Sequence, residues 1–178
     1  NTAIGHRTMY ANTTGTENVA MGYLALDANT SGQYNVALGV NALGGNTTAD
    51  KNTAVGFQAL IANTTGEDNV AVGRNAYDAN TTGHSGVAIG ESSLTSNTTG
   101  IRNVAIGQNA LALNTTGAEN VAIGRGALDA NTSATGNVGV GDEALGANTT
   151  GAKNVAVGYQ AGDSITTGSN NTFVGVSA

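Results

Sequence analysis

The sequence predicts an all-β fold, a parallel β-solenoid (β-roll) of 17-residue coils. Three observations predict it: an internal period that never slips, a glycine at one fixed place in every copy, and an apolar set made of Ala, Val, Ile and Leu. Segments of the type Asn-Val-Ala-Ile-Gly begin at Asn1, Asn18, Asn35, Asn52, Asn69, Gly86, Asn103, Asn120, Asn137, Asn154 and Asn171, each 17 residues after the last. Residues 1–178 therefore form a single repeat array without a linker, ten complete coils and a partial eleventh starting at Asn171. Paired-helix repeats need about 33–47 residues and leucine-rich repeats about 20–29, so this period is too short for either. Glycines at the fifth and fifteenth positions would interrupt any helix long enough to be stable. Stacked at about 4.8 Å per rung, the coils make a rod roughly 50 Å long.

The consensus coil reads Asn-Val-Ala-Ile-Gly-x-x-Ala-Leu-x-Ala-Asn-Thr-Thr-Gly-x-x. Its first four residues, Asn-Val-Ala-Ile, are rich in β-branched side chains and predict a strand closed by glycine. That fifth-position glycine recurs as Gly5, Gly22, Gly39, Gly56, Gly73, Gly90, Gly107, Gly124, Gly141, Gly158 and Gly175. Invariance there suits a turn with positive φ or a close backbone approach. Alternation along the strand places Val19, Met21, Val36, Leu38, Val104 and Ile106 on one face and Ala20, Ala37 and Ala105 on the other. Both faces are apolar. Such a strand is usually covered on both sides, and one solenoid covers only one, so several chains are expected to pack through the Ala face or the Val/Ile face.

The next stretch, Ala-Leu-x-Ala-Asn-Thr-Thr, is expected to supply a second short strand. Its ninth-position leucines, Leu26, Leu43, Leu60, Leu94, Leu111, Leu128 and Leu145, are the expected core anchors, each contributing about 1.5–3 kcal/mol when buried. Asn-Thr-Thr-Gly then turns the chain back. Its asparagines, Asn12, Asn29, Asn46, Asn63, Asn80, Asn97, Asn114, Asn131 and Asn148, each head a triplet of the N-glycosylation type. A ladder of stacked side-chain amides is the stronger expectation, and inward-facing amides would be out of reach of a glycosyltransferase. Positions six, seven, ten, sixteen and seventeen vary freely and are expected at the surface.

The motif Asn-Val-Ala-Ile-Gly, at 103–107 and again at 120–124 with variants throughout, resembles the head repeats of trimeric autotransporter adhesins (the YadA-like head) and related arrays in phage tail fibres. The resemblance covers the whole chain. It implies a left-handed parallel β-roll, three chains side by side as a homo-oligomer, and Val/Ile positions turned toward a shared interior. The Asn-Thr-Thr-Gly return makes this repeat longer than those of the adhesin heads, and the family's varied ligands transfer no binding residue.

Chemistry-bearing groups are sparse. A net charge of −6 with six Lys plus Arg offers no basic stripe for nucleic acid, and no apolar run is long enough to insert in a membrane. Cysteine is absent, which removes disulfides and thiolate metal sites. Only His6 and His84 occur, far apart and at variable positions, without a Ser or Thr and carboxylate constellation around them. No catalytic residue, cofactor or metal ligand is expected, and the chain is not expected to be an enzyme.

Asp27, Asp78, Asp129 and Asp163 share the tenth position, mostly in non-adjacent coils, and read as solvated charge rather than converging calcium ligands. Gly139-Val140-Gly141 mimics part of a dinucleotide fingerprint, but no βαβ unit surrounds it. The five tyrosines are scattered, so incidental packing outweighs a sugar-stacking patch. Gly162 in place of the Leu anchor and Phe173 in place of Ala suggest that the array winds down toward Ala178. Asn1 begins in register, as in a portion of a longer protein.

The functional expectation is an extracellular or cell-surface fibre, an adhesin shaft or matrix filament. Its partners would be copies of itself, with surface glycans or a host receptor as further candidates. A receptor-binding phage tail-fibre segment on the virion is the alternative. An ice-binding solenoid is the second, although adjacent Thr13 and Thr14 point to opposite sides rather than forming a two-file face.

Overall fold

The computed structural model describes residues 1–178 and contains eleven strands of three residues each. They are β1 (Thr2–Ile4), β2 (Val19–Met21), β3 (Val36–Leu38), β4 (Thr53–Val55), β5 (Val70–Val72), β6 (Val87–Ile89), β7 (Val104–Ile106), β8 (Val121–Ile123), β9 (Val138–Val140), β10 (Val155–Val157) and β11 (Thr172–Val174). They form one parallel sheet in chain order. Register is that of the repeat, with Ala20 beside Ala37 and Ala105 beside Ala122. The molecule is thus all-β, a solenoid of about ten turns.

The expected second strand is absent. Positions eight to seventeen are turns and bends, because the backbone enters the left-handed region three times per coil. Residues at positions seven, nine and seventeen do so, for example Leu24 (φ 58°), Leu26 (φ 53°) and Tyr34 (φ 60°). Left-handed backbone costs an L-residue roughly 1–2 kcal/mol, and burial of the ninth-position leucine offsets it with about 1.5–3 kcal/mol. The turns are still stacked: of 119 backbone hydrogen bonds only 20 lie within strands. Leu26 N donates to Ala42 O at 3.0 Å and Thr30 N to Thr47 O at 2.8 Å, each from one coil to the next.

Gly22, Gly39 and their equivalents adopt φ of 129–140°. At all of them but Gly175 a Cβ would overlap the carbonyl oxygen of the fifth-position glycine one coil on. Both reasons for a glycine therefore apply at once, and they end each strand.

Inside each coil the third-position Ala, the eighth-position Ala and the ninth-position Leu close on one another; Ala37, Ala42 and Leu43 have no exposed surface. The Ala stripe is consequently the interior of its own coil and cannot meet another chain. Val and Ile at positions two and four point outward, with Val19, Ile106 and Ile123 exposed by 40%, 36% and 38%.

Two departures from the consensus are paired in space. Tyr77 replaces a leucine anchor and Gly86 replaces the first-position Asn of the following coil. An added Cβ at Gly86 would lie 2.5 Å from Tyr77 Cε1 and 2.6 Å from its hydroxyl, so the phenol occupies the space of the missing amide. Farther along, Phe173 fills the gap above Gly162, against whose absent side chain its Cδ2 would stand 2.8 Å away. Tyr77→Leu and Gly86→Asn should each destabilise alone, through a lost donor and through overlap with the ring. The double variant should recover the consensus, with a favourable coupling of roughly 1–3 kcal/mol in a double-mutant cycle of chemical denaturation. Additive losses would contradict the pairing.

Candidate functional site

The interior polar machinery is two asparagine ladders. In the twelfth-position ladder Asn29 Nδ2 donates to Asn12 Oδ1 at 2.8 Å and to Gly32 O at 3.1 Å. Asn46 and Asn63 repeat this one and two coils on, and the bonds continue through Asn80, Asn97, Asn114, Asn131 and Asn148. Asn29 through Asn148 have no exposed surface and Asn12 is half-buried, so the triplets from Asn29 onward present no accessible amide once folded. At Ile165 the ladder ends, leaving Asn148 Oδ1 without a partner.

The second ladder runs through the first position. Asn18 Nδ2 donates to Gly32 O at 2.8 Å, while Asn18 Oδ1 accepts from Asn35 N at 2.9 Å. Except at Gly100 and Gly168, each fifteenth-position carbonyl is thereby gripped by two amides, one from each ladder, as Gly117 O is by Asn103 and Asn114. Where Gly86 lacks an amide, the Tyr77 hydroxyl donates to Gly100 O at 3.3 Å in its stead. Burial raises the pKa of that phenol well above its ordinary value. Sequence reasoning assigned only the twelfth-position asparagines to a ladder. The overlooked signal was plain, since the first position is Asn in every copy but Gly86.

Thirteenth-position threonines spend their hydroxyls on the stack: Thr30 Oγ1 donates to Thr47 O at 3.0 Å and Thr115 Oγ1 to Thr132 O at 3.0 Å. Thr48, Thr65 and Thr99 of the fourteenth position are exposed.

The variable positions carry surface charge arranged between coils. Arg7 reaches Asp27 at 3.1 Å, Arg102 reaches Glu119 at 2.9 Å, and Arg74 pairs with Glu91. Arg125 bridges Asp142 and Glu143 at 3.0 and 3.1 Å. Hydrogen bonds from Gln160 and then Arg125 hold the Glu143 carboxyl below its ordinary pKa, whereas partial burial raises that of Asp129. Asp129, Glu143 and Asp163 border an open polar notch above Gly146. Asp78 accepts from Thr95 Oγ1 at 2.7 Å. No three His, Asp or Glu side chains converge as metal ligands.

His6 and Tyr23 are stacked at 5.6 Å with 11° between planes, and Arg7 lies 5.0 Å over the Tyr10 ring. His84 hydrogen-bonds only the adjacent Ser85 hydroxyl, at 3.3 Å, in an exposed setting.

Viewed from outside, the strand face has four files. Exposure alternates from the seventeenth position (outward) through Asn (buried), position two (outward), Ala (buried) and position four (outward) to position six beyond the glycine. Two central files are Val, Ile, Leu, Met or Thr, and the two flanking files mix charge, polar groups and aromatics. No protein-family model, curated protein or solved structure matches the chain.

Asn114→Asp tests the ladder. A protonated carboxyl keeps one of the two donations that Asn114 Nδ2 makes to Asn97 Oδ1 and Gly117 O, whereas an ionised one turns a charged oxygen toward both of these acceptors in a buried site, so its folded pKa is raised above the ordinary carboxylate value. The variant should be least destabilised below the unfolded pKa of about 4 and lose further stability as pH rises through it and up to the folded pKa. A melting-temperature difference between variant and parent that does not change with pH would contradict the burial.

Proposed function

We propose that the chain is a structural segment of an extracellular fibre, an adhesin shaft or matrix filament, in which copies lie side by side through their Val/Ile faces. It acts by length and stiffness and by what its variable positions display; it is not a catalyst. One observation carries this reading: the interior repeats almost without change while the outer strand face keeps two files of Val, Ile, Leu or Met along the eleven strands, interrupted only by Thr2, Thr53 and Thr172. A monomer seldom leaves so long an apolar strip uncovered; its largest patch is usually about 300–600 Å². Stability summed from nearest-neighbour coil contacts suits a filament of any length.

The rim residues displayed beside that strip give the fibre whatever surface specificity it has, and glycans or a host receptor are the partners we assign to them. Immunogold labelling of intact producing cells or particles with an antibody raised against the folded array tests the proposal. Gold along surface filaments is the expected result; label confined to the interior of permeabilised cells would reject it.

A further inference from the structure

We infer that Asn170 is an attachment site for an N-linked glycan, and that of ten Asn-x-Ser/Thr triplets it heads the one the folded chain leaves open. Nine triplets begin at the twelfth-position asparagines, from Asn12 to Asn148; the tenth is Asn170-Asn171-Thr172, outside that ladder. Transfer of a glycan forms a bond from the asparagine Nδ2 to C1 of a sugar and breaks the bond from that C1 to a polyprenyl-diphosphate carrier. The carrier leaves as the diphosphate, and Nδ2 gives up one of its two protons. An acceptor amide must therefore be reachable and have a proton that no buried acceptor needs.

The ladder asparagines meet neither condition. Asn46 Nδ2 spends both protons, on Asn29 Oδ1 at 2.9 Å and Ala49 O at 3.0 Å, and its side chain has no exposed surface. A sugar on it would remove one of those donations and would have to lie inside the tube. Asn12, half-buried in the first coil, donates to Gly15 O at 3.0 Å and accepts from Asn29 Nδ2 at 2.8 Å, so it too is held in its turn.

Asn170 is the opposite case. It occupies the seventeenth position, with φ 60°, and is exposed. That exposure belongs to the position, for Glu17, Lys51, Asp68, Arg102, Glu119 and Lys153 are exposed at the same place in their coils. Its neighbours anchor it: Asn170 N donates to Ala152 O at 3.0 Å, and Asn171 Nδ2 turns inward to Asn154 Oδ1, also at 3.0 Å. Alternation along the strand turns Thr172 outward, where it is exposed, while Phe173 packs against the core. The amide and the hydroxyl two residues on, the two groups that define the triplet, therefore both face solvent on a backbone held in place from within.

A single-subunit oligosaccharyltransferase that accepts Asn-x-Ser/Thr, supplied with its polyprenyl-diphosphate oligosaccharide, tests the site on the folded chain. Cleavage after Lys153 then releases residues 154–178, in which Asn170 heads the only triplet. Mass spectrometry should find one oligosaccharide on that fragment and none on the fragments that carry the ladder. Chain digested before the transfer should gain oligosaccharide on the ladder triplets as well, because their amides are then free. Thr172→Val restores the residue usual at the second position, so it should fold as the parent does and lose the glycan. A bare 154–178 fragment from the folded chain, when the predigested fragment is modified, would overturn the assignment. Glycans on Asn29 to Asn148 of the folded chain would overturn it too, as would a glycan that survives Thr172→Val.

Discussion

Everything in this fold depends on satisfying polar backbone inside a narrow tube whose lining of Ala, Leu and Asn is closed to solvent. Each coil turns its fifteenth-position carbonyl inward, and an unpaired buried carbonyl costs about 1–3 kcal/mol. Two asparagine amides meet that need from opposite sides, and each also bonds to the neighbouring coil, so every coil completes the one beside it. This is why the period cannot slip: an insertion would put an apolar or misplaced residue where the carbonyl needs a donor. Coil 6 illustrates the constraint by its exception, for the loss of the amide at Gly86 coincides with a phenol from Tyr77 that reaches the same carbonyl.

A narrow interior also sets the side-chain inventory. With the amide ladders on one side, room remains only for alanine at two positions and one larger anchor, which explains a chain with 27 Gly and no Trp. Larger residues are admitted only where a neighbour shrinks, as Phe173 is by Gly162. The strand's β-branched side chains are displaced outward as a result, and the outer apolar strip follows from the inner packing.

Period, sheet type and the glycine at the strand end were legible in the sequence because each is enforced in every copy. The second strand was misread because Leu26 and its equivalents look like strand residues, whereas burial holds them in left-handed backbone that propensity disfavours. Which apolar face is internal was equally hidden, since alternation separates Val from Ala but gives no sign of which one fits inside. The first-position ladder escaped because Asn18 and Asn35 sit at the mouth of a strand and were read with it. Burial of the amides required knowing that the coil closes on itself. For the candidate site, the variable positions were recognisable as surface, but their grouping into rims needed the bends at positions five and seventeen.

Side-chain amide hydrogen exchange followed by NMR reaches the central claim most directly. The amides of the first- and twelfth-position asparagines, such as Asn35, Asn46, Asn103 and Asn114, should be strongly protected, while those of exposed Asn109 and Asn170 exchange at solvent rates. Equal, fast exchange in both groups would contradict the ladders and with them the closed interior on which the rod is built.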